Sequence, residues 1–421
     1  MKPSEELRIA IIGMGRLMET IRPCYASLLE TPERLSEQVI ATTIDERGLR
    51  EKNARLGFTV LLGQNDEMLR RLMPDLILFA PPPHDALSLT ESVLAPYAAY
   101  CLQSGIPLPT VFAFPPSPGP EQYAARLPET MQTAVVVPCL GADGGFVLAS
   151  VPHGECESGI RSLIERFFRP MASVIFLEPS GIPAYLGSAC MYPIAGNLCS
   201  DISRFCGWDE SIIGPALEGW KKGIADFRSA VGIDVGEEEI RQQTENYTRT
   251  AKTGGESAVI RMNIADCTPG GIAECVLMSY NAGTRSKLFS FLTELRGEPL
   301  AAALFRLARN ESNRLSAIAS ERAAALHLPL SDEAAFTDDR KQAFRDCLLQ
   351  AAAPAGVDLP HELKDDLAAI DGQTPNTFYR ACSERLFRQL SFADADLLLW
   401  LARIGYGVRF GQNAAFRLLH E

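Results

Sequence analysis

The sequence predicts an α/β fold: a parallel sheet with right-handed helical crossovers, followed by a helical region. Three observations predict it. An apolar run at 7–12 breaks into Gly13-Met14-Gly15 and then a helical pattern. Short apolar runs keep alternating with helical patterns as far as residue 165. Beyond that point apolar residues recur at helical spacing and strand-like alternation largely disappears.

The elements follow in order. The first strand spans 7–12 and leads into a helix over 17–29. A second strand covers 38–44, a helical segment over 47–56 ends at Gly57, and a short third strand covers 58–62. A helix over 66–72 precedes an apolar fourth strand at 76–80, stopped by Pro81-Pro82-Pro83. Further strands fall at 110–113, 134–138 and 146–150. The run Pro115-Pro116-Ser117-Pro118-Gly119-Pro120 suits neither helix nor central strand and is expected as a surface loop. A helix over 160–168 and a short strand at 173–177 close this part.

Helices are then expected at 185–205, 211–230 and 237–253, with a long helix or a pair at 272–295. The remainder reads as helical, broken at Pro329, over 354–360 and over 372–375. The expected domains are 1–165, 166–297 and 298–421.

Bulk properties narrow the classes. A chain of 421 residues exceeds one small core. Its net charge of −12 argues against nucleic acid or an anionic membrane as the main partner. No apolar run reaches spanning length and the start lacks an apolar signal core, so no membrane partner is expected. Eleven cysteines without a CxxC pair suit buried thiols in a reducing cytoplasm. His84, His153, His327, His361 and His420 lie far apart without ligand spacing, so no metal site is expected.

The chemistry is carried by two glycine turns. Gly13 permits a tight turn, and Gly15 lets the backbone approach a diphosphate without a Cβ in the way. The helix opening at Arg16-Leu17-Met18 aims free N–H groups at that charge. This is a Rossmann-type dinucleotide turn with Met18 where the full fingerprint has a third glycine; an ordinary strand–helix turn shares the same local signs. At the end of the second strand, Asp45 suits the ribose of NAD. Arg47 or Arg50, with the Thr43 hydroxyl, suits the extra phosphate of NADP, and the choice between NAD and NADP stays open.

The second turn is Asp266-Cys267-Thr268-Pro269-Gly270-Gly271-Ile272-Ala273-Glu274. Its backbone donors suit a carboxylate, and the same composition suits a plain interhelical turn. Between the two regions, Ser180 can cap a helix whose first turn holds Pro183.

Taken in order, these segments resemble the pyrroline-5-carboxylate reductases. Gly13, Gly15 and Met18 meet the family's opening glycines and methionine, and Asn65 its asparagine after the third strand. Ala80 and Pro83 match its alanine-valine-lysine-proline, Pro183-Ala184-Tyr185 its helical entrance, and Thr268-Pro269-Gly270-Gly271 its second turn. Arg285-Ser286 falls where the family has a similar pair in the following helix.

The resemblance implies an NAD(P)-dependent reductase that passes hydride to a cyclic imine or related small carboxylate-bearing substrate. It implies Gly13, Met14, Gly15, Arg16, Leu17, Met18, Asn65, Ala80 and Pro81 along the cofactor, beside Thr43, Asp45 and Arg47. Gly270, Gly271, Ile272 and Ala273 would surround the substrate carboxylate; Thr268 is the candidate for a polar contact, and Glu274, since Ala273 offers no hydroxyl, the candidate for proton delivery. A homodimer through the helical domain is likewise implied.

The chain departs from the family at three positions. Pro82 replaces a lysine, Ile182 a glycine, and Ala273 a threonine held to assist protonation of the imine nitrogen. Residues 298–421 have no counterpart in the family. These departures keep two alternatives open: another imine or 2-oxo acid substrate, or a cofactor-binding protein without turnover.

Overall fold

A strand covered on both faces needs apolar residues without alternation, and Ile9–Ile12 is such a run, buried throughout. A computed structural model describes residues 7–29, 34–44, 49–141, 144–151, 157–233, 237–266, 271–328, 338–371, 375–391, 394–395, 398–399 and 401–402. The chain forms two compact units: Met1–Ile182 with Ala324–Leu328, and Pro183–Ala323 with Pro329–Glu421.

The first unit is built on one eight-stranded sheet of order β3-β2-β1-β4-β5-β6-β7-β8. The strands are β1 Ile9–Ile12, β2 Val39–Thr43, β3 Thr59–Leu62, β4 Leu76–Phe79, β5 Thr110–Ala113, β6 Thr133–Gly141, β7 Gly144–Ser150 and β8 Ser173–Phe176. Pairing from β3 through β6 is parallel, with Ile9 opposite Val39 on one side and Leu76 on the other. This is a Rossmann-type α/β sheet.

Two expectations are corrected here. The sheet is not parallel throughout, because β6 and β7 pair antiparallel, Val135 opposite Ser150, and β8 then runs parallel to β7. A parallel return needs a crossover of a dozen or more residues, and β6 ends at Gly141 with β7 starting at Gly144. The proline run is also not a surface loop: Pro115, Ser117, Pro118 and Pro120 are buried. Four prolines bring no N–H groups, so burying this segment strands few donors. Of its two N–H groups, at Ser117 and Gly119, that of Gly119 donates to Gln122 Oε1 at 2.9 Å.

The helix expected over 17–29 is two helices, Arg16–Thr20 and Arg22–Ser27, parted at Ile21. Pro23 explains the break, since its ring belongs in a helical first turn and not in an interior. The core of this unit gathers Ile9, Ile11, Leu76, Leu78, Phe112 and Phe167.

In the second unit apolar stripes turn inward from the helices Met191–Cys206, Glu210–Ala230, Arg285–Glu294 and Gly297–Ala324. Ile194, Leu198, Trp220, Leu288, Leu304 and Leu315 share one cluster. The helix Glu210–Ala230 approaches Gly297–Ala324 closely enough to exclude side chains. A Cβ on Gly219 would stand 2.9 Å from Phe305 Cα, and one on Gly223 would stand 3.0 Å from the Arg309 carbonyl carbon. The helix expected over 237–253 does end there, because Gly255 has a non-helical φ of +63°, and a second helical stretch runs on from it to Asp266. Residues 272–294 form Ile272–Ser279, a π-helical segment Tyr280–Thr284, and Arg285–Glu294.

The C-terminal helices Asp338–Ala355, His361–Ala368 and Pro375–Gln389 have an apolar cluster of their own, including Phe344, Leu363, Phe378 and Leu386. Among the described residues no helix is long and apolar enough to cross a membrane.

Candidate functional site

In an open α/β sheet, ligands bind outside the carboxyl ends of the strands where the strand order reverses. Here the order reverses between β1 and β4. Gly13 leaves β1 at this point with φ +93°, a conformation L side chains rarely adopt. A Cβ on it would overlap the Ala80 carbonyl oxygen and stand 2.8 Å from the Ala80 carbonyl carbon. The turn is fastened by backbone bonds. The N–H groups of Gly13 and Met14 both donate to Thr42 O, at 3.2 and 2.7 Å, and Ala80 N–H donates to Ile12 O at 2.8 Å.

Gly15 differs. Its φ of −107° suits any residue, and a Cβ there would find nothing within 4 Å. The space in front of it is open, and Arg16–Thr20 begins there without a side-chain cap. The side chains of Met14 and Met18 turn away into the core, at 1% and 0% exposure, and Leu17 packs against the same cluster. Whatever these three residues offer a ligand comes from their backbone. The Arg16 side chain lies outside what the structure describes.

The neighbouring strand end adds polar groups. Thr42 Oγ1 lies 2.6 Å from Asn65 Oδ1, which seats Asn65 at the start of the helix Asn65–Leu72. Thr43 is buried at the end of β2, and Asp45 and Arg47 lie outside the described residues. Ala80 is half-buried and Pro81 buried beyond the end of β4. Lys52, which sequence reasoning missed, donates from Nζ to Met14 O at 3.4 Å and brings a cation to the glycine turn. No local motif announces it, because the contact joins residues 38 apart.

In the second unit, Gly271 starts the helix Ile272–Ser279 with extended backbone and no side-chain cap. Gly271, Ile272 and Ala273 are half-buried. Thr268, Gly270 and the Glu274 side chain lie outside the described residues.

Tyr185 is buried and its hydroxyl donates to Glu239 Oε1 at 2.5 Å. Tyr192 donates to the same oxygen at 2.9 Å, while Arg228 donates to Glu239 Oε2, Tyr192 Oη and Ser188 Oγ. Burial, reinforced by the Glu239 charge, pushes the Tyr185 hydroxyl far above its ordinary value. A hydroxyl so held is a structural donor and a poor acid near neutral pH.

Two further carboxylates are buried around the π-helical segment. Asp201 accepts from Tyr280 Oη at 2.9 Å and from both Arg285 Nε and a terminal guanidinium nitrogen. Glu311 accepts from Thr284 Oγ1, Lys287 Nζ and Arg314. The inserted residue of a π-turn lets Tyr280 and Arg285 reach Asp201 while Thr284 and Lys287 reach Glu311. Among the described residues no His, Cys, Asp and Glu cluster could hold a metal ion.

Neither the family models nor the curated proteins contain a match to this chain. Solved structures are similar at low identity. A pyrroline-5-carboxylate reductase from Coxiella burnetii is 16% identical, over 74% of this chain and 98% of its own, with a TM-score of 0.33. The Plasmodium falciparum pyrroline carboxylate reductase with NADP bound is 13% identical, over 73% and 99%, at 0.33. A D-mandelate dehydrogenase with NADH and anilino(oxo)acetate is 12% identical, over 73% and 99%, at 0.40. Likenesses of this size assign no activity.

Proposed function

We propose that the chain is an NAD(P)-dependent reductase transferring hydride to the C=N carbon of a carboxylate-bearing cyclic imine such as pyrroline-5-carboxylate. The observation that carries this reading is the turn at the β1–β4 reversal. Gly13 is required there by its own backbone and by the Ala80 carbonyl, yet the space before Gly15 is left empty. Gly15 is also the N-cap of Arg16–Thr20, a place glycine suits, and the open space before it is what a diphosphate would use.

The residues present fit a dinucleotide. A diphosphate suits the open ground at Gly15, the uncapped start of Arg16–Thr20 and the Lys52 ammonium. When bound, the reduced nicotinamide supplies the hydride. The chain's own part is to hold and to shield. Asn65, Ala80 and Pro81 line the cofactor, and Asp45, or Arg47 with Thr43, sets the preference for NAD or NADP. The N–H groups of Gly270, Gly271, Ile272 and Ala273 hold the substrate carboxylate, Thr268 makes a polar contact, and Glu274 supplies a proton. In this reading residues 1–165 bind cofactor, 166–297 bind substrate and form a homodimer, and 298–421 are an added helical part.

Ala273 favours a second reading, in which another imine or a 2-oxo acid is the substrate or turnover is lost, because the family threonine is missing there. One experiment separates these readings. Binding of NADH and NADPH is measured by titration, and loss of reduced-cofactor absorbance is followed with pyrroline-5-carboxylate, larger cyclic imines and 2-oxo acids. Turnover with pyrroline-5-carboxylate is the expected result. Turnover only with other members of the panel, or binding without any turnover, supports the second reading. Failure to bind either dinucleotide overturns both.

A further inference from the structure

The loop after β5 carries a relay whose proton positions follow from its partners. Gly119 N–H donates to Gln122 Oε1 at 2.9 Å, which uses the amide oxygen. The Gln122 NH2 is therefore the group facing His327 Nε2 at 3.0 Å, and a ring nitrogen that accepts is unprotonated. The single proton of the neutral ring then sits on Nδ1, which lies 2.5 Å from Ser117 Oγ. Ser117 passes the chain on by donating to Ala324 O at 2.7 Å. Between the backbone ends at Gly119 and Ala324, Gln122, His327 and Ser117 each give one proton and receive one.

A second proton on the ring breaks this order. It would set an Nε2–H against the Gln122 NH2. Turning the amide to accept it would in turn set that NH2 against Gly119 N–H. Burial holds the His327 ring below its ordinary 6.5, the Ala324 carbonyl opposes this, and Arg126 adds to it. Among the described residues Arg126 is the charged group acting on the ring, and Glu91 of the π-helical segment Thr90–Leu94 pairs with it at 2.7 Å.

We infer that His327 is a pH-sensitive latch: neutral, it ties the segment Ala324–Leu328 to Gln122 as well as to Ser117 of the proline loop at 115–120, and protonation breaks the Gln122 tie and loosens the segment. The segment belongs to the same unit as the loop beyond β5, so what loosens is a contact within that unit. Because the folded state favours the neutral ring, the unfolded chain takes up the proton first. The contribution is complete above the ordinary value and is lost as pH falls below it toward the folded value. The inference does not depend on dinucleotide binding.

Nitrogen-15 long-range correlation spectra of the full chain test it, with His327→Asn assigning the ring among the five histidines. The expected result is a proton on Nδ1 and a titration midpoint below the ordinary histidine value. A proton on Nε2, or a midpoint at or above that value, overturns the latch. Gln122→Glu supplies an independent arm, because a carboxylate accepts from Gly119 N–H and from a protonated ring together. Its midpoint is expected to rise above that of the wild type. Amide exchange over 115–126 and 320–328 is then expected to stay slow at about pH 5, where the wild type loosens by about tenfold per unit of depression. An unchanged midpoint in Gln122→Glu also overturns the proposal.

Discussion

Gly13 and Ala80 meet backbone to backbone: the glycine at φ +93° leaves no room for a Cβ before the Ala80 carbonyl. Two strands adjacent in the sheet but 67 positions apart in the chain, Ile9 beside Leu76, thus end in a single interlocked turn.

This contact separates stability from binding at the two glycines. Gly13→Ala combines an unfavourable φ with backbone overlap and is expected to cost about 2–4 kcal/mol in urea unfolding. Gly15→Ala has an ordinary φ and open space, so its unfolding midpoint should stay within about 0.5 kcal/mol of wild type. On the proposed function the same substitution weakens NADPH binding at least about tenfold, roughly the loss of one charge-assisted hydrogen bond. Unchanged affinity in Gly15→Ala would remove the diphosphate from that turn.

Arg285 and Lys287 stand two residues apart and should behave unequally. Arg285→Ala leaves the Asp201 carboxylate, whose side chain is 3% exposed, without its charge partner; a loss of about 3 kcal/mol is expected. Lys287→Ala removes a 56% exposed partner from Glu311, which keeps Arg314 and Thr284, and should cost no more than about 1 kcal/mol. Equal effects in thermal or urea unfolding would contradict the assigned pairing.

Glu311 predicts an acid limb. Burial alone would raise its carboxyl, but hydrogen bonds from Lys287, Arg314 and Thr284 outweigh burial and hold it below the ordinary 4.5. A depressed carboxylate stabilises the fold above its unfolded value, and that contribution fades as pH falls through the folded one. Urea midpoints measured at falling pH should therefore drop below about pH 4.5 in the wild type and less steeply in Glu311→Gln, which is already weaker near neutrality.

Tyr185→Phe distinguishes a structural from a ligand-touching tyrosine. Glu239 Oε1 keeps Tyr192 when Tyr185 is lost, so a cost of about 1–2 kcal/mol in stability is expected. The KM of whatever substrate proves active should be unchanged. A raised KM with unaltered stability would put the Tyr185 hydroxyl in the site.

Much of the fold was readable because its causes are local. Uninterrupted apolar runs mark β1 and β4, and Gly13-Met14-Gly15 marks the turn at the strand-order reversal, whereas the break at Ile21 was missed although Pro23 signals it. The direction of β7 was missed although its cause, the short link from Gly141 to Gly144, is local, and the burial of the proline loop was not readable. Strand direction follows from the link between β6 and β7, and burial follows from what later covers the loop.

Local patterning thus determined which segments of this chain became strands and helices, and where glycine was required, since those depend on neighbours within a turn or two. Only the tertiary structure decided that His327 meets Ser117 across 210 positions, that Arg285 meets Asp201 across 84, and that Lys52 reaches the glycine turn. Such contacts depend on where packed elements bring distant side chains, and no period along the chain encodes that.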